Sequence, residues 1–222
     1  MIMREAEKVR QYFDVASVAF DSLYSENEQK PFMRFVNRTF RKDIYGRFLL
    51  SMNYIIDTGM GSALDVGCGS GRYAYALAKA GIKRIVALDM SSKMIELARR
   101  NTSDIDTNFV SCNFVCSDFM NFETSERFDV VLAMGVFDYV AEPVVFLRKM
   151  KSLANHSVIV SFPSRSFYRT PLRKVRYYFK NCPLHFYDRH SIARLGLESG
   201  FSDTCMVKIK GSGMDYFVVF RK

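Results

Sequence analysis

The sequence predicts an α/β protein built on a doubly wound, mainly parallel sheet. Between Ser62 and Phe162, short apolar runs rich in β-branched residues alternate with segments of helical periodicity. The apolar runs are nearly continuous, as expected where helices cover both faces of a sheet. A glycine-rich loop joins the first run to the first helical segment. This alternation indicates parallel strands joined by right-handed crossovers.

Length and composition exclude several classes of protein. The 222 residues, 49% of them hydrophobic, fit one domain or a domain with a small annex. No apolar run is long enough for a membrane span, and the charged first ten residues do not resemble a signal peptide, so we expect a cytoplasmic protein. The five cysteines are scattered without a CxxC pair, which predicts reduced thiols and no metal site. Cys112 and Cys116, four apart and suited to one helical face, are interpreted as packing residues.

The first sixty residues predict two helices. One runs from about Glu5 to Phe20, and Ser25 to Gln29 separate it from a second. The second carries apolar residues at three- and four-residue intervals, among them Phe40, Ile44, Phe48, Met52, Ile55 and Ile56. Gly59 and Gly61 end it. We expect residues 1–60 to form an N-terminal helical annex or lid, and residues 61–222 to form the main domain.

The strands and helices predicted for the main domain follow in chain order. Strands are predicted at 62–66, 84–89, about 108–116, 128–135 and 157–162, and helices at 71–81, 91–101, 143–153 and 191–199. Two further β-rich runs, CMVKIK and DYFVVFRK, enclose a glycine-containing turn. They predict a C-terminal β-hairpin.

The glycine-rich loop LDVGCGSGR, Leu64 to Arg72, is the sharpest feature. Its glycines allow close approach of a ligand to the backbone, and the following helix offers free N–H donors. The next strand ends in Asp89, where a carboxylate can accept both hydroxyls of a ribose, or can instead cap the helix that follows. Asp65 would repel a phosphate but could hold an ammonium group. The pattern favours an adenosyl amino acid over a dinucleotide.

These residues, together with CSDF (116–119), resemble the class I S-adenosylmethionine-dependent methyltransferases. The resemblance implies a Rossmann-like seven-stranded sheet with S-adenosylmethionine across the carboxyl ends of its strands. It also implies that Asp118 binds the adenine amine, unless it is a surface turn acid, and that Phe119 packs near the ring. The implied cofactor-binding residues are Asp65, Gly67, Cys68, Gly69, Gly71, Asp89, Met90, Ser117, Asp118, Phe119 and Met134.

Many members of that family that act on small molecules carry a Glu-His pair after the fourth strand, where this chain has Asp138-Tyr139. A tyrosine titrates near pH 10 and is a poor general base. We therefore expect Tyr139 and Asp138 to line the acceptor site or orient the acceptor, with core packing as the alternative for Tyr139. His185 and His190 are further candidate catalytic residues, and a structural role is the alternative for both.

A basic segment follows the fifth strand. Residues 165–194 contain eight arginines and lysines and one acid, a local charge of +7 within a net charge of +9. We expect an acceptor-side insertion at 164–190, with Arg165, Tyr168, Arg169 and Arg173 binding a small anionic acceptor. FPSRSFYRTPLRK is similar to a short stretch of the magnesium-protoporphyrin carboxyl methyltransferases, whose acceptor is a propionate. This similarity favours a carboxylate acceptor, which needs no general base.

Three other interpretations stay open. The basic and aromatic residues of 165–194 could bind an RNA acceptor. A fold that binds the cofactor without transferring a methyl group, such as an accessory subunit, would keep the same motifs. The basic region and the N-terminal helices could also dock on an anionic lipid surface. The sequence does not determine the oligomeric state.

Overall fold

A seven-stranded sheet lies at the centre of the computed structural model, which describes residues 6–14, 31–106, 108–164, 184–209 and 215–222. The strands are β1 (Ser62–Val66), β2 (Arg84–Asp89), β3 (Ser111–Cys116), β4 (Phe128–Ala133), β5 (Ala154–Phe162), β6 (Asp203–Lys208) and β7 (Tyr216–Arg221). Their order across the sheet is β3-β2-β1-β4-β5-β7-β6.

The five strands β1 to β5 pair in parallel, whereas β7 runs antiparallel to both β5 and β6. The doubly wound sheet and the C-terminal hairpin are therefore confirmed. Because the chain leaves β1 in one direction across the sheet and returns to its other side at β4, the carboxyl ends of β1 and β4 border the crevice where such sheets bind ligands.

Helices flank the sheet on both faces. They are α1 (6–14), α2 (Pro31–Asp57), α3 (Arg72–Lys79), α4 (Ser92–Asn101), α5 (Pro143–Leu153) and α6 (Arg189–Glu198), with a short 3-10 turn at Phe119–Asn121. The last predicted helix begins two residues earlier than expected. The reason is a reciprocal cap, in which the Asp188 carboxylate accepts from the Ser191 N–H and the Ser191 hydroxyl accepts from the Asp188 N–H.

The sheet separates two apolar clusters. One contains Leu147 and Ile192 from α5 and α6, and the other contains Leu77 and Ile95 from α3 and α4. β1 is buried throughout, but β3 and β6 are half exposed because they are the two edges of the sheet. The expectation that helices cover both faces of the strands between Ser62 and Phe162 is therefore wrong for β3.

The second N-terminal helix is confirmed as α2. Met52 and Ile55 belong to the same apolar cluster as Ala63 of β1, whereas Ile56, which the apolar pattern included, is 54% exposed. Residues 15–20 of the first predicted helix lie outside the described residues, as do Ser25 to Gln29. The division into an annex of residues 1–60 and a main domain stays a prediction. Within the described residues, none of the helices is both long enough and apolar enough to cross a bilayer.

Candidate active site

The glycine-rich loop lies at the carboxyl end of β1 and leads into α3. Gly67 and Cys68 both donate their N–H groups to Leu88 O on β2, at 2.8 and 3.0 Å. Gly71 has a φ of 82°, and a Cβ at this position would lie 2.9 Å from the Cβ of Ala98 on α4. The loop therefore needs glycine at 71 both for its backbone conformation and for the close packing of α3 on α4.

Asp89 connects this loop to the start of α4. Its Oδ2 accepts from the Gly69 N–H at 2.9 Å, and its Oδ1 accepts from the Ser91 N–H at 2.9 Å. The N-cap of α4 is Ser91, whose hydroxyl accepts from the Met94 N–H. The cap alternative for Asp89 is therefore wrong. Each carboxylate oxygen has a further lone pair, which fits the predicted pair of ribose hydroxyls.

Asp65, at the end of β1, is 1% exposed. Its Oδ2 atom is buried and has no hydrogen-bond partner among the described residues. Burial, and secondly the charge of Asp89, raises the pKa of Asp65 to about 7. A buried carboxylate left without a partner is costly, and a cationic ligand group would satisfy it. The ammonium group of an adenosyl amino acid fits this site.

The thiol of Cys68 lies in the same loop but does not form a nucleophilic site. It is 7% exposed, and burial together with the charge of Asp65 raises its pKa well above that of a free thiol. Such a thiol stays protonated and unreactive. Cys112 and Cys116 lie on β3, not on a helix, and burial raises the pKa of Cys112 to about 11.

The predicted adenine side follows β3. The Ser117 N–H donates to Asp89 O at 3.0 Å, which holds this turn against Asp89, and the Cys116 thiol lies 3.9 Å from Met90 O. Asp118 caps the 3-10 turn by accepting from the Met120 N–H at 2.9 Å. Phe119 is 3% exposed and packs on Phe146, so the structure supports a core role for its ring.

The carboxyl end of β4 brings several predicted acceptor residues together. Asp138 is buried, and its carbonyl accepts from the His185 N–H at 2.9 Å. The His185 Nε2 is buried without a hydrogen-bond partner among the described residues. His190, in contrast, is exposed in the first turn of α6. The structure thus places His185, but not His190, against the dipeptide Asp138-Tyr139.

The N-terminal helix α1 contacts both halves of this region. Asp14 accepts from the Ser91 hydroxyl at 2.5 Å, two residues from Asp89. The Phe13 ring meets the Tyr139 ring edge to face, with centroids 5.5 Å apart. Neither contact was predicted from the sequence, because residues so far apart in the chain leave no local pattern.

A family of methyltransferase domains is detected in the sequence, with its model matching residues 57–185. The chain belongs to this family. It is a member of the class I S-adenosylmethionine-dependent methyltransferases, as the glycine loop and Asp89 implied, and S-adenosylmethionine is the cofactor of that family. The glycine-rich loop, Asp89 and the Asp65 Oδ2, which has no hydrogen-bond partner in the described part of the chain, fit this methyltransferase cofactor.

Curated relatives of this methyltransferase include two ubiquinone biosynthesis O-methyltransferases. The protein from Actinobacillus pleuropneumoniae serotype 7 (strain AP76) is 28% identical over 120 residues, which cover 51% of each chain. The protein from Vibrio campbellii is 30% identical over 117 residues, covering 51% of this chain and 49% of the relative. The methyltransferase chain therefore matches about half the length of these curated relatives.

Solved structures share the methyltransferase fold over nearly the whole chain. The magnesium protoporphyrin IX methyltransferase of Synechocystis PCC 6803 with bound S-adenosylhomocysteine has a TM-score of 0.79 at 21% identity, covering 98% of this chain and 99% of its own. Its structure with bound S-adenosylmethionine has a TM-score of 0.77 at 18% identity, covering 98% and 97%. These similarities confirm the Rossmann-like fold.

The predicted acceptor contacts of the basic segment are not described. Arg165, Tyr168, Arg169 and Arg173 lie in the range 165–183, outside the described residues. Met134, predicted at the cofactor, is buried and lies 3.9 Å from the Ser51 hydroxyl on α2. Within the described residues, no group of three or more histidines, cysteines or acids is placed to hold a metal ion.

Arg47 was not among the site residues predicted from the sequence. It lies on the buried side of α2, and its side chain is 11% exposed. A signal was present, because residue 47 lies one helical turn after Ile44 and directly before Phe48, two of the apolar positions of α2. A cation on the apolar face of a helix is unusual enough to mark a candidate site.

Proposed function

We propose that this chain transfers a methyl group from S-adenosylmethionine to a small anionic acceptor, with a carboxylate oxygen as the favoured nucleophile. The observation that carries the proposal is the buried Asp65 carboxylate, which has no hydrogen-bond partner among the described residues at the carboxyl end of β1. It needs a cation, and the neighbouring Asp89 is placed for the hydroxyls of the same ligand.

The cofactor, when bound, supplies a methyl group on a positively charged sulfur. The protein then needs only to orient the acceptor and exclude water. Asp65 would hold the ammonium group and Asp89 the ribose. Ser117 and Asp118 would lie at the adenine, while Tyr139 and Asp138 would line the acceptor side.

The residues that follow β4 support the choice of an ionised acceptor. Tyr139 lies where many family members carry a histidine, and its ring packs on Phe13. An acceptor that is already ionised does not require a base at this position. The basic segment 165–194 adds charge of the right sign for such an acceptor.

A second candidate is methylation of a hydroxyl group, with His185 as the base. It is favoured by the His185 Nε2, which is buried without a partner in the described part of the chain, next to Asp138. The curated relatives named as ubiquinone biosynthesis O-methyltransferases also support it. An RNA acceptor rests only on the composition of the basic segment.

Tritiated S-adenosylmethionine separates these possibilities. The purified chain is incubated with magnesium protoporphyrin IX as the carboxylate, a catechol as the hydroxyl compound, and tRNA. We expect label on the porphyrin that mild base releases as volatile methanol, because only methyl esters hydrolyse in this way. Base-stable label on the catechol would favour the second candidate, and label on tRNA would favour the RNA interpretation.

Matched variants show whether the label depends on the assigned site. Asp89→Ala should abolish transfer. Asp104→Ala, which removes an exposed acid bound to Lys79 and Tyr75, should not change it. No label on any acceptor, together with normal cofactor binding, would favour the cofactor-binding accessory protein. The cytoplasmic location stays a prediction.

A further inference from the structure

Residues 184–187 connect the carboxyl ends of two neighbouring strands. The His185 N–H donates to Asp138 O at 2.9 Å, five residues after the end of β4. The Tyr187 N–H donates to Pro163 O at 2.9 Å, directly after β5. Because β4 and β5 pair in parallel, both hydrogen bonds lie at the carboxyl edge of the sheet. His185 is therefore held at the edge where such sheets bind ligands.

The Tyr187 side chain anchors this segment in the core. It is 8% exposed, its ring centroid lies 4.9 Å from that of Phe162, and it belongs to the same apolar cluster as Leu147. Burial, and secondly the charge of Asp138, raises the pKa of Tyr187, so its hydroxyl stays protonated at neutral pH. With Tyr187 buried and two backbone hydrogen bonds formed, the backbone of His185 is fixed before any ligand binds.

The His185 side chain carries a polar atom that none of the described residues satisfies. Its Nε2 is buried and has no hydrogen-bond partner among them, although the side chain as a whole is partly exposed. The His156 side chain, in contrast, is 68% exposed, and its Nε2 lies 3.8 Å from a carboxylate oxygen of Asp129. A buried polar atom without a partner costs free energy, which a leucine or phenylalanine would avoid. A ligand that bonds to Nε2 accounts for a histidine at this position.

We propose that the Nε2–H of His185 donates a hydrogen bond to the carboxylate of the methyl acceptor, so that His185 selects an ionised acceptor. The inference rests on the proposed function and names a contact for its substrate class. A carboxylate has only acceptor atoms, and it loses hydrogen bonds to water when it enters the site. A neutral imidazole with its proton on Nε2 replaces one of these bonds. An ester gains less, because hydrogen bonds to a charged group are stronger.

This contact is compatible with methyl transfer. One oxygen of the carboxylate accepts from the Nε2–H, and the other forms the new bond to the methyl carbon. The carbon–sulfur bond breaks, its electron pair stays on sulfur, and the imidazole keeps its proton. A base, as in the second candidate function, would instead have no proton on Nε2 and would remove one from a hydroxyl group. The two roles therefore predict different results for a side chain that donates but is not a base.

Calorimetric titrations in saturating S-adenosylhomocysteine test the donor role without methyl transfer. The probes are benzoate, decanoate and magnesium protoporphyrin IX, each compared with its methyl ester. We expect the wild type to bind at least one free acid about tenfold or more tightly than its ester. His185→Phe, which keeps an aromatic ring and removes both nitrogens, should weaken that acid about tenfold and leave the ester unchanged. An equal loss of acid and ester affinity would mean that His185 serves packing alone and would overturn the proposal.

His185→Gln distinguishes a donor from a base. Its side-chain amide offers an N–H but does not take up a proton at neutral pH. This variant should keep the acid affinity within about threefold of the wild type and should still form base-labile label on the porphyrin. If acid binding survives but transfer is lost, His185 is a base and the donor assignment is wrong. His156→Phe makes the same ring exchange at an exposed histidine near the amino end of β5, and this control should leave every probe unchanged.

Three further outcomes overturn the proposal. These are no preference for acid over ester with any probe, equal acid affinity in His185→Phe and wild type, and acid binding lost as fully in His185→Gln as in His185→Phe. Should His185→Phe fail to fold or to bind S-adenosylhomocysteine, His185→Leu replaces it, and His185→Gln still distinguishes the two roles. Failure of the proposed function appears differently. If the wild type forms no base-labile label but its acid preference depends on His185, the carboxylate site stands and the methyl transfer does not.

Discussion

The proposed cofactor side and the proposed acceptor side of this methyltransferase are built in different ways. On the cofactor side, one short loop and one strand end place Asp65, Gly69 and Asp89 together through backbone hydrogen bonds. On the proposed acceptor side, the ring of Phe13 contacts the ring of Tyr139, and the His185 N–H donates to Asp138 O, so three separate parts of the chain contribute. A local, backbone-held site tolerates few substitutions, whereas a site assembled from distant parts can change its acceptor by changing single side chains.

The largest expected effect is on the cofactor side. Asp89→Ala removes two hydrogen bonds from backbone N–H groups and the proposed acceptor for the ribose hydroxyls. Hydrogen bonds to a charged group contribute about 1.5–3 kcal/mol each, so S-adenosylhomocysteine should bind about 100-fold more weakly or worse. Calorimetry measures this, with Asp104→Ala as the surface control. A loss below fivefold would mean that Asp89 only orders the loop.

The second-largest expected effect is on stability, and it distinguishes a steric clash from backbone strain at two glycines. Gly71→Ala and Gly81→Ala both place a side chain at positive φ, 82° and 90°. Only position 71 meets Ala98, at 2.9 Å, whereas position 81 is open. Each should lose about 1–3 kcal/mol from backbone strain, with a larger loss at 71. Thermal unfolding should show Gly71→Ala lower than Gly81→Ala by several degrees. Equal melting temperatures would show that α3 and α4 move apart freely.

The third effect is on the pH dependence of cofactor binding. Since burial raises the pKa of Asp65 from 3.8 to about 7, the folded, cofactor-free protein holds a proton between these pH values that the unfolded chain has lost. Its stability should therefore fall as pH rises from about 4 to about 7 on account of this group. An ammonium ligand needs the ionised form, so the affinity for S-adenosylhomocysteine should decrease up to tenfold for each pH unit below about 7.

Asp65→Asn is the matched variant for this pH effect. It keeps the shape of the side chain and removes the titratable proton. Its affinity should therefore be lower and flat between pH 5.5 and 8, apart from the contribution of Asp89, whose pKa burial also raises. Titrations at half-unit intervals measure both curves. A wild-type curve that is flat over this range would mean that the ammonium group does not lie at Asp65.

The difference between the two sides also explains what the sequence predicts. The α/β class, the strand at 84–89, the helix at 143–153 and the Asp89 position follow from local periodicity and spacing. The cofactor loop is predictable because the conformation of its glycines is fixed by neighbours in the chain. The exposure of β3 was missed because the position of a strand at a sheet edge depends on strand order.

The acceptor side could be predicted only in part, for the same physical reason. His185 and His190 looked equivalent in the sequence, and only the hydrogen bond from His185 N–H to Asp138 O separates them. Arg47 carried a readable signal, a cation at an apolar helix position, but its partners Gly135 and Ser161 come from two other elements. Side chains that meet through tertiary packing have no characteristic spacing in the sequence from which their contact could be predicted.

The smallest expected effect is on the contact between α1 and the acceptor side. Phe13→Ala removes the edge-to-face contact with Tyr139, and such aromatic pairs contribute about 0.5–1.5 kcal/mol. We expect KM for the acceptor to rise twofold to tenfold, with the affinity for S-adenosylhomocysteine unchanged, because the Asp14 contact to Ser91 remains. Arg10→Ala, which removes an exposed pair with Glu7 on the same helix, is the control. If Phe13→Ala instead weakens the cofactor and leaves KM unchanged, α1 serves the cofactor side, and the two sides are less separate than the contacts indicate.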